Sequence, residues 1–353
     1  MKRYLFFGGK GGVGKTTAAS ATALFLLKTL KQKSGTAGAA SAPSILLFST
    51  DPAHSLSDSL GVKIGNRLVQ VAEHKGAKLI AYEMNATLAL ERFREAHGRV
   101  LGEIAERGTL LDEEDINELL NLSLPGLDEV MSLFELSELD RAGKSGLERM
   151  EKSGLDPASR GKLDRASRGE LEGAGKYAHV VVDTAPSGHT SRLLRLPEVF
   201  ARMVHALDRM SDKHRYMIQH FARRKVVADE VDLFLRDLTE RIKSVRNLLY
   251  DPSQTSFTLV TIPEAMSVRE TQRYLALLNE QNVPVTDLIV NRVEQEHDDC
   301  VYCRARVKTQ RPWLQEIEKS FGELQLHYVP LLAEEVRGVT QLEGIGKQIW
   351  KKR

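Results

Sequence analysis

The stretch Gly9-x4-Gly14-Lys15-Thr16 has the spacing G-x4-G-K-[ST] of a loop that cradles phosphates. Glycines at Gly9, Gly11, Gly12 and Gly14, with Val13 between the last two, let backbone N–H groups close around a polyanion. A helical pattern begins at once after the loop, so the positive end of its dipole adds to the same site. In this pattern Lys15 reaches the β- and γ-phosphates of a nucleotide, and the Thr16 hydroxyl, followed by Thr17, faces Mg²⁺. That chemistry needs one lysine, and the loop holds two. Lys10 is the surplus cation, either a solvated loop residue or a charge that serves a transferring phosphate.

A second group with chemical capacity is "HDDCVYCRARVK", which places the two cysteines of the chain, Cys300 and Cys303, at C-x2-C spacing. Two thiolates are half of a tetrahedral zinc site, and two copies brought together on a two-fold axis would complete it. A redox pair and a soft metalloid such as As(III) are the competing readings. Two aspartates stand at the ends of apolar runs. Asp183 closes "HVVVD", and Asp51 follows "ILLFST" in an Asp-Pro step that also suits a helix N-cap.

Groups of this kind need strand ends to present them. Short β-branched or aromatic runs at 4–8, 45–50, 78–84, 179–185, 257–263, 287–293 and 326–332 alternate with longer helical patterns. Near-continuous apolar strands separated by helices predict an α/β fold, a doubly wound and mainly parallel sheet of the P-loop NTPase type. The whole chain, 1–353, reads as one such domain carrying a helical subdomain from insertions at about 87–150 and 199–250. Segments 31–44 and 156–175 are small, polar and glycine-punctuated, which predicts flexible loops; the second contains a short duplication, 158–163 against 166–171.

Within 199–250 two helical patterns stand out. Met203, Leu207, Met210, Met217 and Phe221 form one stripe with His214 interrupting it, and Val231, Phe234, Leu238, Ile242, Val245 and Leu248 form another. The stripes suit either a methionine-bearing groove for an apolar helix or the core of a helix hairpin.

Composition is that of a globular protein, with 42% apolar and 28% charged residues over 353 positions. A net charge of +2 predicts no nucleic-acid partner, and no run approaches the roughly 18 uncharged apolar residues of a membrane helix. The basic start "MKRYLFFGG" meets Lys10 before an apolar signal region could form, so the expected location is the cytoplasm, with any membrane role peripheral.

The loop "KGGVGKTT" resembles the deviant Walker A motif of dimeric SIMIBI-class ATPases. Together with "STDPAHSLSD" (49–58), "DTAPSGHTSRLL" (183–194), "VTIPEAMSVRETQRYL", "LIVNRV" and "VPLLAEEVRG", it resembles the ArsA/GET ATPases over most of the chain. That family joins arsenical pump-driving ATPases to targeting factors for tail-anchored membrane proteins. The resemblance implies a homodimer that binds ATP and Mg²⁺. Lys10 would reach the partner's nucleotide and Asp51 would orient the attacking water. Asp183 would hold Mg²⁺ through water beside Thr16. Glu264, Asn291 and Pro330 would lie on the adenine side.

For Cys300 and Cys303 the resemblance to the targeting factors implies zinc shared across the dimer. The first reading of the physiological role is an arsenical pump-driving ATPase working with a membrane arsenite carrier, with As(III) or Sb(III) as effector. The alternative is a chaperone that delivers tail-anchored clients to a membrane; a partition or positioning ATPase of the ParA/MinD type comes third. An arsenite site normally takes three thiolates, and this chain has no cysteine outside the pair.

Overall fold

The computed structural model describes residues 1–30, 43–51, 55–108, 127–142, 177–185, 230–296 and 299–351. Among these residues eight strands form one sheet: β1 (Tyr4–Gly9), β2 (Ser44–Ser49), β3 (Val69–His74), β4 (Ala77–Glu83), β5 (Tyr177–Asp183), β6 (Thr255–Thr261), β7 (Val285–Val293) and β8 (Gln325–Pro330). Their spatial order is β3-β4-β2-β5-β1-β6-β7-β8, parallel throughout except for the edge pair β3–β4. The parallel, doubly wound α/β sheet expected from the strand runs is therefore present, and each of those runs is a strand.

Alternation along the strands divides the core in two. Phe6, Phe48, Val182 and Phe257 face one layer, where Phe6 and Phe257 stack with centroids 4.7 Å apart. Leu5, Phe7, Leu47 and Val181 face the other. This second layer is covered by α1 (Lys15–Thr29) and α8 (Val339–Trp350). Buried between the sheet and α8, α1 is apolar nearly all round, with Ala18, Ala19, Ala21 and Ala23 allowing close approach. Trp350 closes the chain end onto it by donating from Nε1 to Thr22 Oγ1 at 2.9 Å.

The first layer carries α3 (Ala86–Gly108), α4 (Leu127–Ala142) and α5 (Glu230–Tyr250), which pack on one another, together with α6 (Ala265–Glu280) and α7 (Val301–Ser320). On α5 the buried face is the predicted stripe, Val231, Phe234, Leu238, Ile242, Val245 and Leu248. These side chains are core, packed within the first layer. The Met203-to-Phe221 stripe, segments 31–42 and 156–175, and residues 186–194 of the "DTAPSGHTSRLL" segment lie outside the described residues.

Strand β3 was not anticipated. Its sequence, "VQVAEH", is only partly buried at the sheet edge, so it lacks a continuous apolar run. It joins β4 through the two-residue turn Lys75-Gly76, both at positive φ (50° and 78°), the geometry that matches strand twist in a tight hairpin.

Candidate functional site

The carboxyl ends of β1, β2 and β5 meet at one point, and hydrogen bonds to backbone carbonyls tie them together there. Thr50 N donates to Asp183 O at 3.0 Å, and Thr184 Oγ1 donates to Phe7 O at 2.7 Å. The glycine-rich loop leaves β1 and enters α1 through Gly14, which sits at φ 95° and ψ 31° as the N-cap. An added Cβ there would stand 2.4 Å from Asn291 Nδ2. Asn291 lies on β7 and donates from Nδ2 to Val13 O at 2.9 Å, while its Oδ1 accepts from Arg292 N at 2.9 Å. The amide expected on the adenine side thus braces the back of the phosphate loop.

Thr16 Oγ1 donates to Asp183 Oδ2 at 2.7 Å and lies 3.0 Å from Ser55 Oγ. Ser55 opens α2 (Ser55–Leu60) and donates to Asp51 Oδ2 at 3.3 Å. Two hydroxyl protons therefore serve three oxygen–oxygen contacts. Asp183 is fully buried and its Oδ1 has no hydrogen-bond partner among the described residues. Burial pushes its pKa up to about 7, against the pull of the Thr16 and Ser49 hydroxyls and the Lys15 ammonium, with the Asp51 carboxylate adding to the rise. A cluster of hard oxygens with an orphaned buried carboxylate atom, whose ionised form burial disfavours until a cation arrives, fits Mg²⁺, which takes a carboxylate or two and leaves room for waters and phosphate.

Lys15 is buried, at 5% exposure, and its Nζ donates across the loop to Lys10 O at 3.2 Å. Desolvation lowers its pKa, opposed by Asp183, Asp51 and Glu270. A buried ammonium carries three donors, one of which goes to the Lys10 carbonyl, and so suits an anion at the loop. Lys10 points elsewhere: its Nζ is 4.0 Å from Glu270 on α6, with side chains 33% and 30% exposed. Gly11 and Gly12 are exposed and Thr17 is half-buried, so the mouth of the loop is open.

Glu264 is the N-cap residue of α6 and makes no side-chain capping bond. It lines a cavity of about 300 Å³ with Pro263, Arg306 and Trp313. Pro330 ends β8, paired with Val293 beside Asn291. The segment after it returns to α2, where Gly338 N donates to Ser59 O at 2.9 Å and Arg337 Nε donates to Asp58 O at 3.0 Å. Cys300 caps α7, its sulfur accepting from Cys303 N at 3.1 Å. Both cysteines are half-buried. The Cys303 thiol beside it holds Cys300 below the usual thiol range, and Cys303 is correspondingly raised. Two sulfurs from one chain fit half of a tetrahedral zinc site, with exposed Val301 and Tyr302 next to them.

Three site residues carried no role in the sequence reading: Ser55, Glu83 and Glu270. Ser55 lies inside the quoted "STDPAHSLSD", whose spacing alone does not say which hydroxyl turns inward. Glu83 ends an apolar strand, a position whose polar side chain could have been suspected by analogy with Asp183. Glu270 had no signal, because an acid on an amphipathic helix ordinarily faces solvent.

The sequence profile of the family described as "Anion-transporting ATPase" matches residues 2–146 and 157–351. Similar proteins include the ATPase GET3B of Arabidopsis thaliana, 31% identical over 370 aligned positions that cover 99% of this chain and 79% of that one. The ATPase get3 of Pyrenophora tritici-repentis is 30% identical over 359 positions, covering 99% and 91%. The ATPase GET3C of Arabidopsis thaliana is 29% identical over 368 positions, covering 99% and 83%.

Proposed function

The chain belongs to the anion-transporting (ArsA/GET) ATPase family, and from that membership we propose that it is a dimeric, Mg²⁺-dependent ATPase that delivers tail-anchored proteins to a membrane. ATP hydrolysis comes with the family. The observation that carries the catalytic reading is the Thr16–Asp183 pair at 2.7 Å with its orphaned carboxylate oxygen, continued through Ser55 to Asp51.

In this reading Lys15 and the loop N–H groups neutralise the β- and γ-phosphates of ATP. Mg²⁺, held by Thr16 and, through water, by Asp183, would supply charge neutralisation on the phosphate oxygens. Asp51 accepts a hydrogen bond from water and aims it at the γ-phosphorus, and the proton leaves toward that carboxylate as the bond to ADP breaks. Lys10 completes the partner's site when two copies close. A pair about a third exposed is worth only about 0–1 kcal/mol, so Glu270 does not hold Lys10 back strongly. Glu264, Asn291 and Pro330 stand on the base side. Cys300 and Cys303, with the same pair from a second copy, would hold a structural zinc through four thiolates.

Targeting is favoured over arsenite pumping by the relatives, which are named as GET3 ATPases over nearly the full chain, and by the confinement of cysteine to one pair. In this reading the protein works from the cytoplasm on clients bound for a membrane. No helix among the described residues is long and apolar enough to cross a membrane. The test is ATPase rate with and without As(III), zinc content, and capture of an apolar helix, in wild type and in a Cys300→Ser/Cys303→Ser variant. A flat As(III) response, about one zinc per dimer as a Cys₄ site requires, and helix capture are expected. As(III) stimulation that disappears in the variant would establish the arsenite pump instead.

A further inference from the structure

Glu83 stands at the end of β4, outside the phosphate loop, and is 1% exposed. A buried carboxylate is costly unless its oxygens are satisfied. Here Oε1 accepts from Leu56 N at 2.9 Å and Ser57 N at 3.0 Å, and Oε2 accepts from Ser57 Oγ at 2.6 Å. The two backbone donors are N–H groups of the first turn of α2, where the helix dipole also favours negative charge, and the third is a side-chain hydroxyl of the same turn. Ser57 Oγ in turn accepts from Ile64 N at 3.1 Å, so the chain beyond α2 is gathered onto the same carboxylate.

With six residues, α2 cannot hold its own position, because so short a helix barely offsets its nucleation cost. External bonds must fix it. Gly338 and Arg337 hold its carboxyl end, and Glu83 holds its amino end. The residue just before the Glu83 anchor is Ser55, whose hydroxyl touches both Thr16 Oγ1 and Asp51 Oδ2. One buried charge on a rigid strand therefore sets where the Ser55 hydroxyl stands relative to the phosphate site.

We propose that Glu83 is a positioning residue for hydrolysis: it pins the amino end of α2 to β4 and so places Ser55 and Asp51 against Thr16. The proposal rests on the reading of Asp51 as the group that orients water. Losing the anchor leaves the loop, Lys15 and the Asp51 backbone in place but lets Ser55 leave Thr16 and the Asp51 carboxylate, which loses the hydroxyl that orients it, so kcat falls while nucleotide binding persists.

The experiment compares Glu83→Ala, Glu83→Gln and Ser57→Ala in the full chain, with Asp51→Asn alongside. Phosphate release is normalised to the stoichiometry of bound Mg-ADP, so that any unfolded fraction drops out. Misplacing a catalytic group by about 1 Å costs on the order of 10²-fold in rate, so Glu83→Ala should lose between about 10- and 100-fold in kcat with KM for ATP within about threefold. Glu83→Gln, whose amide oxygen still accepts and whose NH₂ can donate to Ser57 Oγ, should recover part of that loss. Ser57→Ala, which keeps both backbone donors, should fall severalfold. A folded Glu83→Ala with wild-type kcat, or with KM rising in step, overturns the proposal; if Glu83→Ala does not fold, a wild-type kcat in Ser57→Ala does so. An active Asp51→Asn would instead overturn the reading of Asp51, whatever the Glu83 variants do.

Discussion

Replacing Gly14 by alanine introduces one methyl group into the tightest point of the phosphate loop, and its cost can be worked from two separate causes. The backbone at φ 95° and ψ 31° lies on the left-handed side, which costs an L-residue about 1–2 kcal/mol. The new Cβ would also stand 2.4 Å from Asn291 Nδ2, so that amide must move. Moving it breaks the 2.9 Å bond to Val13 O, worth about 1 kcal/mol. The sum is about 2–3 kcal/mol. It is read as a fall in the urea midpoint of the nucleotide-free protein at unchanged slope.

Gly11→Ala is the internal control. A Cβ there meets nothing within 4 Å, and the change should stay within about 0.5 kcal/mol. The cycle with Asn291→Ala separates the two causes. With the amide already gone, Gly14→Ala should cost only its backbone part, so the pair should show a coupling of about 1 kcal/mol. Equal losses in Gly11→Ala and Gly14→Ala, or additive behaviour in the cycle, would refute the steric argument.

Asp183→Asn should abolish ATP hydrolysis and the added thermal stability that Mg-nucleotide confers; yet the nucleotide-free protein should melt no lower than wild type, because burial disfavours the ionised aspartate. Lys10→Ala should leave ATP affinity unchanged by direct titration but lower kcat by about 10³-fold or more, the scale of a cationic finger. A pH-dependent effect is expected at Glu135 on α4. Burial raises its carboxyl above the ordinary 4.5, although the hydrogen bond from Tyr82 opposes this. Tyr82 has one proton for two acceptors, Asn66 Oδ1 and Glu135 Oε1, an arrangement satisfied when Glu135 is itself protonated. The stability it contributes is full below the unfolded carboxyl value and is lost as pH rises through the raised native one. Thermal melts between about pH 5 and 8 should therefore show a shallower decline for Glu135→Gln than for wild type.

Much of the fold was legible in the sequence because a parallel sheet covered on both faces leaves apolar runs that only buried strands tolerate. β1 and β2 show this, buried at every position. The phosphate loop was legible for a similar reason: its chemistry is local, and Gly9 to Thr16 carry glycines, lysine and hydroxyl within one turn. The α5 stripe was visible from its period, but whether it faced a client or a core depended on what lay against it. Contacts with the sheet and its neighbouring helices made it core.

Bonds between distant segments were not legible, because nothing in a local pattern sets which strand end a side chain will meet. Asn291 lies 278 positions from the Val13 carbonyl it braces, and Asp183 lies 167 from Thr16. The clamp of α2 between Glu83 and the turn at Gly338 likewise exists only after β4 and β8 take their places in the sheet. Sequence by itself determined the nucleotide loop, the layered fold and the family pattern, since each is written in residues that act on their neighbours. Tertiary structure decided which acids and hydroxyls converge on Thr16, since that convergence is made by the order of the strands.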